Sequence, residues 1–173
     1  MSRTLAVAAS LSFLFVAPGC QKAADAAASA AVSAATGTDV KVTTTGGVPQ
    51  MAANYNVDGA NVALNVGGAT QVPAGFPFPV AEGITLQQAV TSNDEGKPRF
   101  LVSGTTTKPA KEIADFYAPL LKAKGLEVTR NELNVGGTAS VQLSGAADGQ
   151  QATVSITAVG AMNMVAITSQ GVK

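Results

Sequence analysis

Hydrophobic and polar positions alternate most regularly near the C-terminus. Ala152, Val154, Ile156 and Ala158 interleave with Gln151, Thr153, Ser155 and Thr157, and Val141 and Leu143 alternate in the same way. A period of two means strands with one buried and one wet face. The pattern predicts strands at Leu126–Leu133, Thr138–Ser144, Gln151–Val159 and Met162–Ser169, joined at Gly136-Gly137, Asp148-Gly149 and Gly160-Ala161, each short enough for a hairpin. Two earlier strands, Ile84–Thr91 and Arg99–Thr106, flank the turn Asn93-Asp94-Glu95-Gly96, with Phe100 and Val102 pointing inward. Between the two groups the period changes. Ile113, Phe116, Tyr117, Leu120 and Leu121 recur at i, i+3, i+4, i+7 and i+8, the apolar stripe of an amphipathic helix. Thr107 is its expected cap, Pro109 suits its first turn, and Lys122, Lys124 and Gly125 mark its end. Pro119 removes one backbone hydrogen bond and crowds the carbonyl of Asp115, which predicts a kink or an early break. Residues 72–173 thus read as an α+β domain, an antiparallel meander sheet with one helix packed on one face.

Upstream the pattern weakens. Over residues 40–71, Val48–Val57 and Ala60–Val66 flank Asp58-Gly59, a dipeptide suited to a type I′ turn. Tyr55 and Val57 on one arm, with Val62, Leu64 and Val66 on the other, alternate as a one-faced hairpin would; a disordered segment is the competing reading. Asn54, Asn56, Asp58 and Gly59 fall at positions 1, 3, 5 and 6 of a calcium loop. Asn65 stands where the closing glutamate belongs, and one carboxylate is too little charge to hold a dehydrated divalent ion, so no metal is expected. Pro73, Pro77 and Pro79 hold residues 72–80 extended. That arm is expected to lay Phe76 and Phe78 across its own domain rather than present them to a partner's groove, because two exposed phenylalanines are costly. Leu64-Asn65-Val66-Gly67-Gly68 recurs as Leu133-Asn134-Val135-Gly136-Gly137, a repeated turn chemistry rather than a duplication.

The N-terminus is read as an address. Residues 1–19 hold one arginine, an apolar run Leu5–Val16 and a small-residue exit, the form of a secretory signal peptide. The run is too short to span a bilayer. Cys20, the only cysteine, ends it behind Gly19 in a position similar to a bacterial lipobox, whose cysteine is acylated and becomes the first mature residue. Cleavage near Ala24-Asp25-Ala26, releasing a soluble protein, is the alternative. As the resemblance implies, lipoproteins carry three acyl chains, a strong membrane hold. Gln21, where an inner-membrane protein would carry aspartate, points to the outer membrane, facing the periplasm, in a Gram-negative host. Residues 20–39, rich in Ala, Ser and Thr, lack apolar bulk for a core and are expected to be a flexible tether, with Ala23–Ala35 able to turn helical.

Composition removes most chemistries. The 173 residues include no histidine, no tryptophan, and 11 basic against 11 acidic side chains. No histidine means no Ser-His-Asp triad, Cys-His pair or histidine metal site. One cysteine allows no internal disulfide or CxxC pair. Neutral charge gives no footprint for nucleic acid. Thr105 and Lys108 echo a Ser-x-x-Lys spacing at a strand-helix junction without a partner motif, and Asp94-Glu95 belong to a turn. No catalytic residue and no cofactor are therefore assigned, and no enzymatic activity is expected. The expected role is a non-enzymatic envelope module, held to the membrane through Cys20, that binds a protein partner or supports an assembly. The alternative is a small-molecule or lipid binder, its ligand between helix and sheet beside Met51, Met162 and Met164.

Phe76-Pro77, Phe78-Pro79-Val80, Pro109, the adjacent Phe116-Tyr117, Leu120-Leu121 and Gly125 occur in an order that resembles a family of bacterial lipoproteins of uncharacterised activity. The resemblance covers about residues 72–170 and departs at Leu126, where an aromatic is usual. It implies a fold and carries no site residue. On physical grounds Phe116 and Tyr117 belong to the core, and a buried Tyr117 needs a hydrogen-bond partner.

Overall fold

The computed structural model describes residues 21–36, 38–45, 48–57, 60–67, 70–94, 96–135 and 138–172. The elements are α1 (Gln21–Thr36), β1 (Asp39–Thr45), β2 (Val48–Val57), β3 (Ala60–Val66), β4 (Thr85–Asp94), β5 (Lys97–Thr106), α2 (Ala110–Ala123), β6 (Glu127–Val135), β7 (Thr138–Ala147), β8 (Gln150–Val159) and β9 (Met162–Gln170). All strands join one antiparallel sheet in the order β1-β2-β3-β4-β5-β9-β8-β7-β6. The fold is α+β, as the alternation predicts. The meander is broken once, because α2 lies over β6, β7 and β8. It carries the chain from β5 to the far edge, and the last four strands step back until β9 pairs with β5.

The helix ends show why α2 spans what it does. Its start is not capped by Thr107: Pro109 is the capping residue, with no side-chain bond, and Thr106 Oγ1 accepts from the Lys108 amide at 3.1 Å. The helix begins at Ala110, so Thr107 lies two residues before the capping position and is exposed, while Thr106 is buried. At the other end Gly125 takes φ +78°, its amide bonds the Lys122 carbonyl at 2.9 Å, and the Leu126 amide bonds that of Leu121 at 3.2 Å. These are the paired bonds of a Schellman stop. Contrary to the expected break, the helix runs through Pro119 to Ala123. Pro119 lies on the exposed side of α2, where the carbonyl it leaves unbonded can turn to water.

Ile113, Ala114, Tyr117 and Leu121 of α2 meet Leu143, Val154, Ile156, Val165 and Ile167 in one core, closed at its margin by Phe78 and Leu126. The register puts these strand residues on one face: Val102 pairs with Ile167, Ile167 with Val154, and Val154 with Leu143. We call this the inner face. Phe116 departs from expectation. It is 39% exposed and packs edge-on against Tyr117, its centroid 4.9 Å away, because its helical position lies beside the stripe's centre. The 72–80 arm does lie on its own domain. Phe78 is buried, and Phe76 contacts Phe78 and Phe100 edge-on at 6.0 and 5.8 Å.

The N-terminal part extends the same sheet. β2 and β3 pair with Tyr55 opposite Val62, Ala53 opposite Leu64 and Met51 opposite Val66, the one-faced hairpin the alternation predicts; the Asp58-Gly59 turn lies outside the described residues. The stretch expected to be a flexible tether instead forms α1, docked along β1. Asp25, Ser29 and Ser33, spaced by four residues, accept from the backbone amides of Thr44, Val42 and Val40 at 2.9, 2.8 and 2.9 Å. Four helical residues rise about 6 Å and two strand residues about 6.6 Å, so the repeats match. Alanine propensity makes the helix, and three polar side chains close the edge that β1 would otherwise leave open.

Candidate functional site

Cys20 lies outside the described residues. Asn54 and Asn56, the first positions of the calcium-loop spacing, sit in β2 opposite Ala63 and Asn61, and Asn56 Nδ2 donates to Asn61 Oδ1 at 3.2 Å. Strand pairing leaves them no loop to wrap an ion, and the described residues contain no cluster of three or more acidic, cysteine or histidine side chains able to hold one. Lys108 Nζ bonds Glu112 Oε1 at 2.7 Å, while Thr105 Oγ1 accepts from Gln87 Nε2 at 3.5 Å. The hydrogen bond and charge of Glu112 push the Lys108 ammonium pKa up, the opposite of what a general base needs.

Tyr117 finds the partner it needs: its hydroxyl oxygen accepts from the Ala81 amide at 3.0 Å. Burial pushes its phenol pKa up, and the Ala81 bond opposes this. Asp115 joins α2 to β6 by accepting from Arg130 Nη1 at 2.6 Å and from Lys111 Nζ at 2.7 Å, which hold its carboxyl below the usual range.

The space between helix and sheet is filled. Ile113, Tyr117, Leu121, Leu143, Ile156 and Ile167 there are completely or almost completely inaccessible. Met162 and Met164 are about half exposed at the start of β9, and Met51 is partly buried in β2, so the three methionines do not line one pocket beneath α2.

The opposite side of the sheet, the outer face, is where recess and apolar surface meet. Its polarity changes along the sheet. Over β6–β9 the inner face is apolar, and the outer one carries Gln142, Ser144, Thr153, Ser155, Thr157 and Thr168, with exposed Leu133, Val159, Met162 and Met164 at the end that holds the β8–β9 turn. Over β1–β3 the inner face carries Gln50, Asn54, Asn56, Asn61 and Asn65. The outer face there is built from Val40, Val42, Met51, Ala53, Val62, Leu64 and Val66. The central strands have apolar residues on both sides: inner Ala89, Phe100 and Val102, outer Val90 and Leu101. Among the described residues α1 packs on β1 and α2 on the core face of β6–β9, and the 72–80 arm crosses the inner face.

Where the two outer zones join, a recess of about 260 Å³ opens over β4, β5, β9 and β8. Val90 and Leu101 form its apolar floor, and Ser92, Arg99, Thr153 and Gln170 are among its polar walls. With its amide oxygen turned toward Arg99, Gln170 accepts from Nε at 3.3 Å and Nη2 at 3.0 Å, fixing the guanidinium at the rim. On the inner side of the same strands, Ser169 Oγ is buried without a hydrogen-bond partner. This arrangement can hold an amphipathic molecule, its polar end beside Arg99 and its apolar part along Val90, Leu101 and Leu64. Sequence reasoning missed it. The signal was present, since placing Phe100 and Val102 inward puts Arg99 and Leu101 outward, but the pairing of β5 with β9 and so the place of Gln170 was not readable.

A family model described as START domain-like matches residues 86–171, just under half of the chain, from β4 through β9. The recess lies wholly within that stretch. No curated protein and no solved structure matches the chain significantly. Over β4–β9 the chain is thus similar to the START domain-like family, in a sheet that β1–β3 and α1 extend beyond the matched part.

Proposed function

We propose that the protein is a non-enzymatic binding module of the cell envelope that holds an amphipathic, lipid-type ligand on the outer face of its sheet. One observation carries this reading: apolar side chains line the outer face over β2–β5 and run into a polar recess with an arginine at its rim, and neither helix packs on those strands. The START domain-like likeness supports a ligand- or lipid-binding role and is compatible with the alternative drawn from composition. The ligand's place differs from the one that alternative supposed, because the core under α2 is full. Acylation at Cys20 and residence at the outer membrane belong to the same proposal, and they would keep such a module beside its ligand's source.

Equilibrium titration with a fluorescent sixteen-carbon fatty acid tests the reading. Saturable binding is expected, weakened at least tenfold by Arg99→Gln and by Leu101→Ser and unchanged by Met162→Ser at the start of β9. A titration that does not saturate, or equal affinity in all variants, would count against it.

A further inference from the structure

We infer that the outer face of β1–β5 lies against the surface of the phospholipid bilayer to which Cys20 attaches the chain. This rests on the reading of Cys20 as acylated and adds which side of the fold meets lipid. The place where the leading segment ends is the first support. Residues 1–20 run into α1, and α1 is hydrogen-bonded along the free edge of β1 through Asp25, Ser29 and Ser33. Four helical steps join Gln21 to Asp25, a rise of about 6 Å, so the leading segment joins α1 within about 10 Å of Asp25. The anchor therefore emerges at the β1 edge instead of on a free tether.

The second support is the difference between the two faces beside that edge. The inner one presents Lys41, Gln50 and several asparagines; the outer one presents Val42, Met51, Val62 and Leu64. A bilayer beside the anchor gains contact with apolar surface on the outer side only. Five strands span about 19 Å, a patch that begins at the edge where the leading segment joins α1, so it can meet lipid while α1 stays docked. At its margin Lys97 and Arg99 lie on the same face by register, with Asp94 opposite Lys97. Arginine there suits a lipid phosphate. In this pose the recess opens toward the membrane, and a ligand passes from bilayer to sheet without crossing water.

The chain has no tryptophan, so a single one reports cleanly. The full chain, made with its leader in a bacterial host, is reconstituted into vesicles of phosphatidylcholine and phosphatidylglycerol with plain or brominated acyl chains. Leu64→Trp is expected to lose at least half its emission to bromine, and Val62→Trp repeats the reading should the first variant fold poorly. Asn65→Trp and Asn61→Trp, the neighbouring inner-face positions, are expected to change by less than a fifth. Intact mass of the same samples reads the anchor separately. An acylated chain with unquenched Leu64→Trp and Val62→Trp overturns the pose and leaves the anchor standing. Blue-shifted but unquenched emission overturns it in favour of a second copy on the face. A mass without acyl chains overturns the anchor and the pose together.

Discussion

At the scale of single residues, Tyr117 shows how a core position acquires a polar duty. Its ring fills the centre of the helix–sheet interface, and its hydroxyl holds the amide of Ala81, so the arm before β4 is fastened through one hydrogen bond. Tyr117→Phe keeps the volume and leaves that amide unpaired. A loss of about 1–3 kcal/mol in urea unfolding is expected. The phenol also has a pH signature. Burial raises its folded pKa above the unfolded value near 10, so the neutral form is favoured by folding. That contribution is complete below pH 10 and falls away as pH rises through the folded pKa. Above pH 10 the wild type should lose stability more steeply than Tyr117→Phe, and parallel slopes in the two proteins would refute the assignment. Phe116 teaches the complementary lesson. A residue at the margin of an apolar stripe satisfies the periodicity whether or not a neighbour covers it, and at that position nothing in α2's packing does so fully.

Among elements, α1 is the instructive case. Composition alone says that it can be helical; nothing in an Ala-rich stretch says what it touches. The contact is made by Asp25, Ser29 and Ser33, which also explains why those polar residues recur at helical spacing. Hydrogen exchange separates the two sides of β1. The amides of Val40, Val42 and Thr44 bond α1, whereas strand pairing turns those of Lys41 and Thr43 toward β2. Replacing Ser29 and Ser33 by alanine should speed exchange at Val40 and Val42 at least tenfold and leave Lys41 and Thr43 within a factor of about three. Uniform acceleration along β1 would mean that α1 supports the strand by burial rather than by these bonds.

For the molecule as a whole, the two halves of the sheet are stabilised unequally. β6–β9 bury a packed helix, while β1–β3 present their apolar side chains on a face that neither helix covers beyond the β1 edge. Stability along the sheet should therefore be graded. In native-state exchange with added urea, the amides of β2 and β3 are expected to open at least 2 kcal/mol below those of β8 and β9. A single opening energy across all nine strands would show one cooperative unit and remove the idea of a separable outer half. The same gradient suits a surface that meets lipid, since the less cohesive half is the one with apolar area to offer.

Much of this was legible along the chain because it depends on short-range periodicity. Alternation located β2, β3 and β4–β9 to within a few residues, the stripe located α2, and the Phe-Pro arm was correctly laid on its own domain. The absence of histidine and the single cysteine rule out whole reaction classes from composition alone. Tertiary structure decided what periodicity cannot carry. Alternation tells that a strand has two unlike faces but not whether adjacent hairpins bury the same one, because that depends on register across strands far apart in sequence. The β5–β9 pairing joined Arg99 to Gln170 over 71 positions of chain, and it alone created the recess. Pro119 was tolerated because it fell on the wet side of α2, and α1 became an edge cover because its polar repeat matched a strand formed later in the chain. Local pattern is set by covalent neighbours and their side-chain period; the site is set by which faces are left uncovered once every strand has found its place.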